Sequence, residues 1–174
     1  MDTPLEIAQL GNDILRRKAQ SVERIDDPKI QSAIDNLIAT ARLKNGVGIA
    51  APQVSQSYRL FIVASRPNER YPDAPEMEPT AMLNPSILSH GEERVKGWEG
   101  CLSVPGFRGL VPRYERIEVE YWDRQGRRNV RELSGFIARI FQHELDHLNG
   151  ILFIDRAESP QDLVSEEDYW NLHH

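Results

Sequence analysis

The five residues His143-Glu144-Leu145-Asp146-His147 constrain this chain more than any other segment. On a helix, positions i and i+4 share a face, so two imidazoles at that spacing can reach one ion. The surrounding stretch reads as a helix. From Ser134 onward Ile137, Ile140, Phe141, Leu145 and Leu148 recur at helical spacing, and Asn149-Gly150 supplies a stop. Glu144, beside the first histidine, is placed to act as a base on a water held by the ion. A catalytic metal generally has three protein ligands and one open position, so a third ligand must come from elsewhere.

Three sources for it are open. A metzincin needs a further histidine where this chain has Phe153, so that class fails. A gluzincin-like zinc peptidase takes a downstream glutamate, and Glu166 and Glu167 are candidates in an acidic tail. The remaining source is Cys101, the single cysteine, in Glu99-Gly100-Cys101-Leu102-Ser103. Gly97 and Gly100 suggest backbone lying close to another group. A thiolate would be a strong ligand for Fe2+ or Zn2+. A non-catalytic structural metal domain needs a fourth ligand. His90 is the candidate, with nothing around it to support the role and no reason for a glutamate beside His143.

The rest of the chain indicates an α+β fold: short antiparallel or mixed strands packed around a central metal-binding helix that carries the histidine pair. Asp26-Asp27-Pro28 starts a helix whose buried stripe is Ile30, Ile34, Leu37, Ile38 and Ala41, and Asn45-Gly46 ends it. Arg59 to Val63 reads as a buried strand. Residues Ser65 to Thr80 hold four prolines and read as a surface loop. Ile117, Val119 and Tyr121 alternate with Glu118 and Glu120, and Asp123 to Gly126 turns the chain into a second strand near Val130. The basic stretch Arg124 to Arg128 is a solvated turn. Ser165 and Asp168 fit a cap for a short last helix.

A length of 174 residues suits one catalytic domain over 1–174, with 157–174 as a peripheral tail. The net charge of −6 argues against a nucleic-acid surface, and no apolar run approaches a membrane span. Met1 to Glu6 has neither the basic flank nor the apolar stretch of a secretory signal. A lone cysteine allows no internal disulfide and fits a reducing compartment. His173-His174 reads as a disordered tail.

Three segments, in order, resemble the signature motifs of peptide deformylases: Gly46-Val47-Gly48-Ile49-Ala50-Ala51-Pro52-Gln53, Glu99-Gly100-Cys101-Leu102-Ser103 and Gln142-His143-Glu144-Leu145-Asp146-His147. The resemblance implies removal of the formyl group from N-formylmethionyl nascent chains, with release of formate. It makes Cys101, His143 and His147 the ligands of one divalent ion, typically Fe2+ and replaceable by Zn2+, Ni2+ or Co2+. Glu144 becomes the general base, and Gln53 and the Leu102 N–H become oxyanion donors. Gly46 and Gly48 would let backbone approach an extended peptide. Val47, Gly48, Phe136 and Ile140 would line the methionine pocket, with Arg108 at its rim. Asp146 is expected to support a ligand or to form a salt bridge with Arg113, and Glu99 has the same status while also being expected among the substrate-binding residues. The expected setting is a monomer in a bacterial-type cytoplasm, with an organellar origin left open and the ribosome as a transient partner. Some members dock there through a basic C-terminal helix, which the acidic residues Glu158, Asp162, Glu166, Glu167 and Asp168 do not supply.

Overall fold

The computed structural model describes residues 4–173. Met1 to Thr3, part of the N-terminal stretch read above, and His174 lie outside the described residues. Helix α1 (Pro28–Leu43) begins where Asp27 accepts a hydrogen bond from the Lys29 N–H at 2.9 Å, and it ends before Asn45 in the left-handed region (φ 56°). Strands β1 (Gly48–Ala50), β2 (Leu60–Val63), β3 (Thr80–His90), β6 (Arg116–Trp122) and β7 (Arg128–Ser134) form an antiparallel sheet in the order β1-β2-β3-β6-β7. Strands β4 (Arg94–Cys101), β5 (Val104–Tyr114) and β8 (Leu163–Ser165) form a second sheet, also antiparallel. Helix α2 (Gly135–Leu148) follows seven of the eight strands, and α3 (Glu166–His173) closes the described chain.

The apolar run in β2 follows from burial on both faces. Leu60 and Ile62 pack with Ile30, Ile34, Leu37 and Ala41 of α1. Phe61 and Val63 point the other way, against Ala138, Ile140 and Phe141 of α2. Phe61 meets Phe141 edge-on at 5.2 Å between ring centroids. Alternation along a strand thus places α1 and α2 on opposite faces of the larger sheet. α2 also contacts β5, so it joins the two sheets.

The mixed helix and antiparallel-sheet class agrees with the sequence. The expectation of short strands does not hold for β3 and β5, which run for 11 residues each. The stretch from Ser65 is irregular until β3 begins at Thr80, as expected of a proline-rich loop. The turn after β6 is built by Asp123, whose carboxylate accepts from the N–H groups of Gln125 and Arg127. Its arginines face acids: Arg124 pairs with Asp35, Arg127 with Asp123 and Arg128 with Glu120. Ser165 Oγ accepts from the Asp168 N–H at 3.0 Å and caps α3. Among the described residues no helix is long and apolar enough to cross a membrane.

Candidate metal centre

The site arises from a register match between strand β4 and helix α2. Alternate residues of a strand are about 6.6 Å apart, and a helix advances about 6 Å in four residues. Two steps of β4 therefore keep pace with two steps of α2. Gly97, Glu99 and Cys101 share one face of β4, and Arg139, His143 and His147 share one face of α2. At Gly97 a Cβ would fall 2.8 Å from the Arg139 guanidinium carbon, so glycine makes the room that the arginine occupies. Arg139 Nη1 donates to Glu99 at 2.7 Å. The Glu99 carboxylate lies 2.8 Å from His143 Nδ1. Cys101 Sγ lies 3.3 Å from His147 Nε2.

One donor atom each from Cys101, His143 and His147 falls within 4.8 Å of the others, and no other such trio forms among the described residues. Glu166, considered above as a third ligand, instead accepts from Arg108 Nε at 3.1 Å and Nη2 at 3.0 Å. Glu167 is exposed on α3. His90 is exposed and stacks on Tyr114 at 3.8 Å.

Around the trio, charge is fixed by burial. Burial alone would raise the Glu99 carboxyl. The Arg113 guanidinium and the hydrogen bond with His143 outweigh it and hold Glu99 well below the usual carboxylate range. Glu99 is therefore an acceptor only, so His143 Nδ1 carries the hydrogen and its Nε2 is left for the site. Arg113 also donates to Asp146 at 2.6 Å, the pairing expected from the sequence, and Arg156 binds the same carboxylate. Burial opposes a charged His143, yet its contacts with Cys101 and Glu99 lift it well above the ordinary histidine range. Burial and the charge of His143 push His147 well below that range. The donor cluster thus draws one positive charge strongly, which suits a cation.

Two buried polar atoms beside this cluster, Glu144 Oε1 and His147 Nδ1, have no protein partner. Burial, aided by the charges of Glu99 and Asp146 and opposed by His143 and Arg113, pushes Glu144 up to about 7. A cation alongside would favour its ionised form. Donor set and orphaned carboxylate together fit a metal with a water beside it.

A cavity opens over the trio. Its lining includes Gly46, Val47, Gly48, Gln53, Glu99, Cys101, Leu102, Phe136, Ile140, His143 and Glu144. The close approach at Gly48 is to the protein itself: a Cβ there would fall 2.7 Å from Glu144 Oε2 and 2.9 Å from Ile140 Cγ2. Gly46 has ordinary space around it. Gln53 Oε1 accepts from the Ala50 N–H at 2.9 Å, which turns Nε2 toward Ser103 Oγ (3.1 Å) and Cys101 Sγ (3.5 Å).

Two expectations need correction. Glu99 borders the cavity, but both its oxygens are engaged by Arg113, Arg139 and His143, so it orients a histidine rather than meeting substrate. Arg108 is not at the rim. It is fully enclosed behind β4, where Gly100 makes room for it and where it faces the Tyr169 ring at 4.7 Å. The reason is strand parity, because Gly100 faces away from Glu99 and Cys101. Sequence reasoning missed Arg139, Ser103 and Tyr71. Arg139 had a signal, being four residues before His143 on the same helix face. Tyr71 comes from the proline-rich loop; its hydroxyl accepts from the Gly100 N–H at 3.2 Å and its ring packs on Phe136 at 4.8 Å.

A sequence model of the polypeptide deformylase family matches residues 4–162. The chain belongs to the peptide deformylase family. It is 66% identical to "Peptide deformylase 2" of Nostoc sp. over 168 residues, covering 97% of this chain and 94% of that one. With "Peptide deformylase 2" of Shewanella oneidensis it shares 50% identity, covering 94% and 91%. Among solved structures, a Met-Ala-Ser-bound class I type b peptide deformylase from Acinetobacter baumannii superposes with a TM-score of 0.87 at 50% identity, covering 90% of this chain and 99% of that one. A peptide deformylase from Synechococcus elongatus in complex with actinonin gives 0.81 at 36% identity, covering 92% and 82%. The family model spans strands β1 to β7 and α2. The gluzincin and structural-domain alternatives are therefore set aside.

Proposed function

We propose that this peptide deformylase hydrolyses the formyl amide of N-formylmethionyl nascent peptides at a divalent ion held by Cys101, His143 and His147. The convergence of those three donors beside the partnerless carboxylate of Glu144 carries the proposal. The native ion is Fe2+, with Zn2+, Ni2+ or Co2+ able to substitute, since one thiolate and two imidazoles suit all four. When bound, the ion supplies a Lewis acid and a water acidic enough to react at neutral pH.

Glu144 takes a proton from the attacking water and returns it to the leaving amine. Gly48 leaves the room that this carboxylate occupies, since a Cβ there would fall 2.7 Å from Glu144 Oε2. The oxyanion receives hydrogen bonds from the Gln53 amide and the Leu102 N–H, each worth about 3 kcal/mol in the transition state. Ala50 sets the orientation of that amide from behind. Among the described residues β1 pairs with β2 alone, which leaves its outer edge for an extended peptide added as a further strand. The methionine side chain then packs on Val47, Phe136 and Ile140, which line the cavity.

The whole chain 1–174 acts as one catalytic domain, with 157–174 as a peripheral segment. It works as a monomer in a bacterial-type cytoplasm and meets the ribosome transiently. The acidic first turn of α3 does not suit docking through a basic helix. The test is formate release from formyl-Met-Ala-Ser against acetate release from acetyl-Met-Ala-Ser by metal-replete protein. The formyl peptide should be cleaved far faster, because an added methyl must fit against Gly48 and Glu144. Comparable rates contradict the reading.

A further inference from the structure

The charged side chains lining the cavity are Arg70, Glu99, Arg139, His143 and Glu144. Four of these belong to the floor and are held by the register of β4 and α2. Arg70 is different. It comes from the proline-rich loop and has no ion pair or hydrogen bond among the described residues. Its acidic loop neighbours Glu69 and Asp73 are exposed and do not pair with it.

The backbone that carries Arg70 is nevertheless fixed. Asn68 N–H donates to the Tyr71 carbonyl at 3.2 Å, and Tyr71 N–H donates to Asn68 Oδ1 at 2.8 Å, closing a tight turn. Asn68 Nδ2 ties that turn to the Asn45 carbonyl on one wall of the cavity. The Tyr71 hydroxyl ties it to the Gly100 N–H on the other wall. A turn anchored on both walls thus presents a free guanidinium at the mouth. Asn68, Arg70 and Tyr71 of this turn line the same cavity as Cys101, Glu144 and Phe136, so a peptide bound there by its formyl-methionine end has the turn within its reach.

We propose that Arg70 is a specificity-determining residue, favouring formyl-Met peptides with a side-chain carboxylate one or two residues after the methionine. The inference rests on the deformylase reading. A guanidinium recognises a carboxylate by charge and by paired N–H donors, and this one gives up no existing partner to do so. The contact is solvated, so its effect is modest and weakens with salt.

The test measures kcat/KM of metal-replete enzyme on three C-terminally amidated peptides: formyl-Met-Ala-Glu, formyl-Met-Ala-Lys and formyl-Met-Ala-Ser. At low salt the Glu peptide should be preferred over the Lys peptide by about fivefold. That ratio should fall to near one in Arg70→Ala and invert in Arg70→Glu. Calorimetric binding of the deformylated products Met-Ala-Glu-amide and Met-Ala-Lys-amide should follow the same ratio without turnover. A wild-type ratio near one, or a preference that survives Arg70→Ala, overturns the inference. A preference seen only for free C-terminal carboxylates, and not for the amidated Glu peptide, overturns it in favour of chain-end recognition. If the Ser peptide too releases no formate, the deformylase reading falls, and this inference with it.

Discussion

Glu99 and Arg70 border the same cavity, but their surroundings differ in kind. Glu99 is buried and bound by two arginines and a histidine, each supplied by a regular element. Arg70 sits on a loop turn that is tied down by its neighbours, while its own guanidinium stays free. The floor places reactive groups by over-determining them. Glu99 and the His143 imidazole it supports are held by the strand–helix register and by charges that cannot be left unpaired in a dry interior. The mouth fixes only the backbone and leaves a side chain to adapt. Chemistry that tolerates no displacement is thus built on sheet and helix, and selection among varied peptides on a loop.

The largest effect should come from the floor itself. On the proposed reading Cys101→Ser exchanges a thiolate ligand for a neutral hydroxyl and should strip the ion, with formate release falling to background. Metal analysis of the folded variant checks this. Full metal content would mean that the floor is not the binding site. Next is Glu144→Gln, which keeps shape but removes the proton acceptor. Metal should be retained while kcat falls by roughly 10²-fold or more. Near-normal turnover would remove Glu144 from the mechanism.

Arg113→Met tests whether the supporting charges carry the floor. It leaves Glu99 and Asp146 short of their shared cation and should cost about 3–5 kcal/mol in denaturant unfolding. Its pH dependence has a definite sign. A carboxyl held below its unfolded value stabilises the fold above that unfolded value and loses the contribution only as pH falls through the folded one. For Glu99 the loss lies in strong acid. Without Arg113 the Glu99 carboxyl rises, so acid unfolding should begin at higher pH than in the wild type. Equal acid profiles would show that Arg113 is dispensable. The smallest effect belongs to the mouth: Tyr71→Phe keeps the ring on Phe136 but removes the acceptor for Gly100. About 1 kcal/mol is at stake, so kcat/KM should drop by up to about fivefold with metal content unchanged. A loss as large as that in Glu144→Gln would erase the distinction between floor and mouth.

Much of this was legible in the sequence wherever one period dominates. α1, β6 and α2 each bury a regular stripe, β2 is a continuous apolar run buried on both faces, and the histidine pair names its own helix face. β5 was hidden because Pro105, Gly106, Gly109 and Pro112 imitate a loop. Gly109 serves packing instead, since a Cβ there would fall 2.9 Å from the Phe153 ring. Gly97 and Gly100 did signal a close approach, but the sequence could not say to what. The answer is two different arginines on opposite faces of β4, because parity alternates along the strand. That parity also explains why Arg108 lies behind the site while Arg139 braces it. Ser103 and Tyr71 carry no periodic signal, and only the folded chain brings them to Gln53 and Gly100.

The central claim is that Cys101, His143 and His147 together hold the ion, and X-ray absorption at the metal edge of the zinc-loaded protein tests it most directly. The expected first shell holds one sulfur at about 2.3 Å and two imidazole nitrogens at about 2.0–2.1 Å. A shell of nitrogen and oxygen alone, with no sulfur, would contradict it.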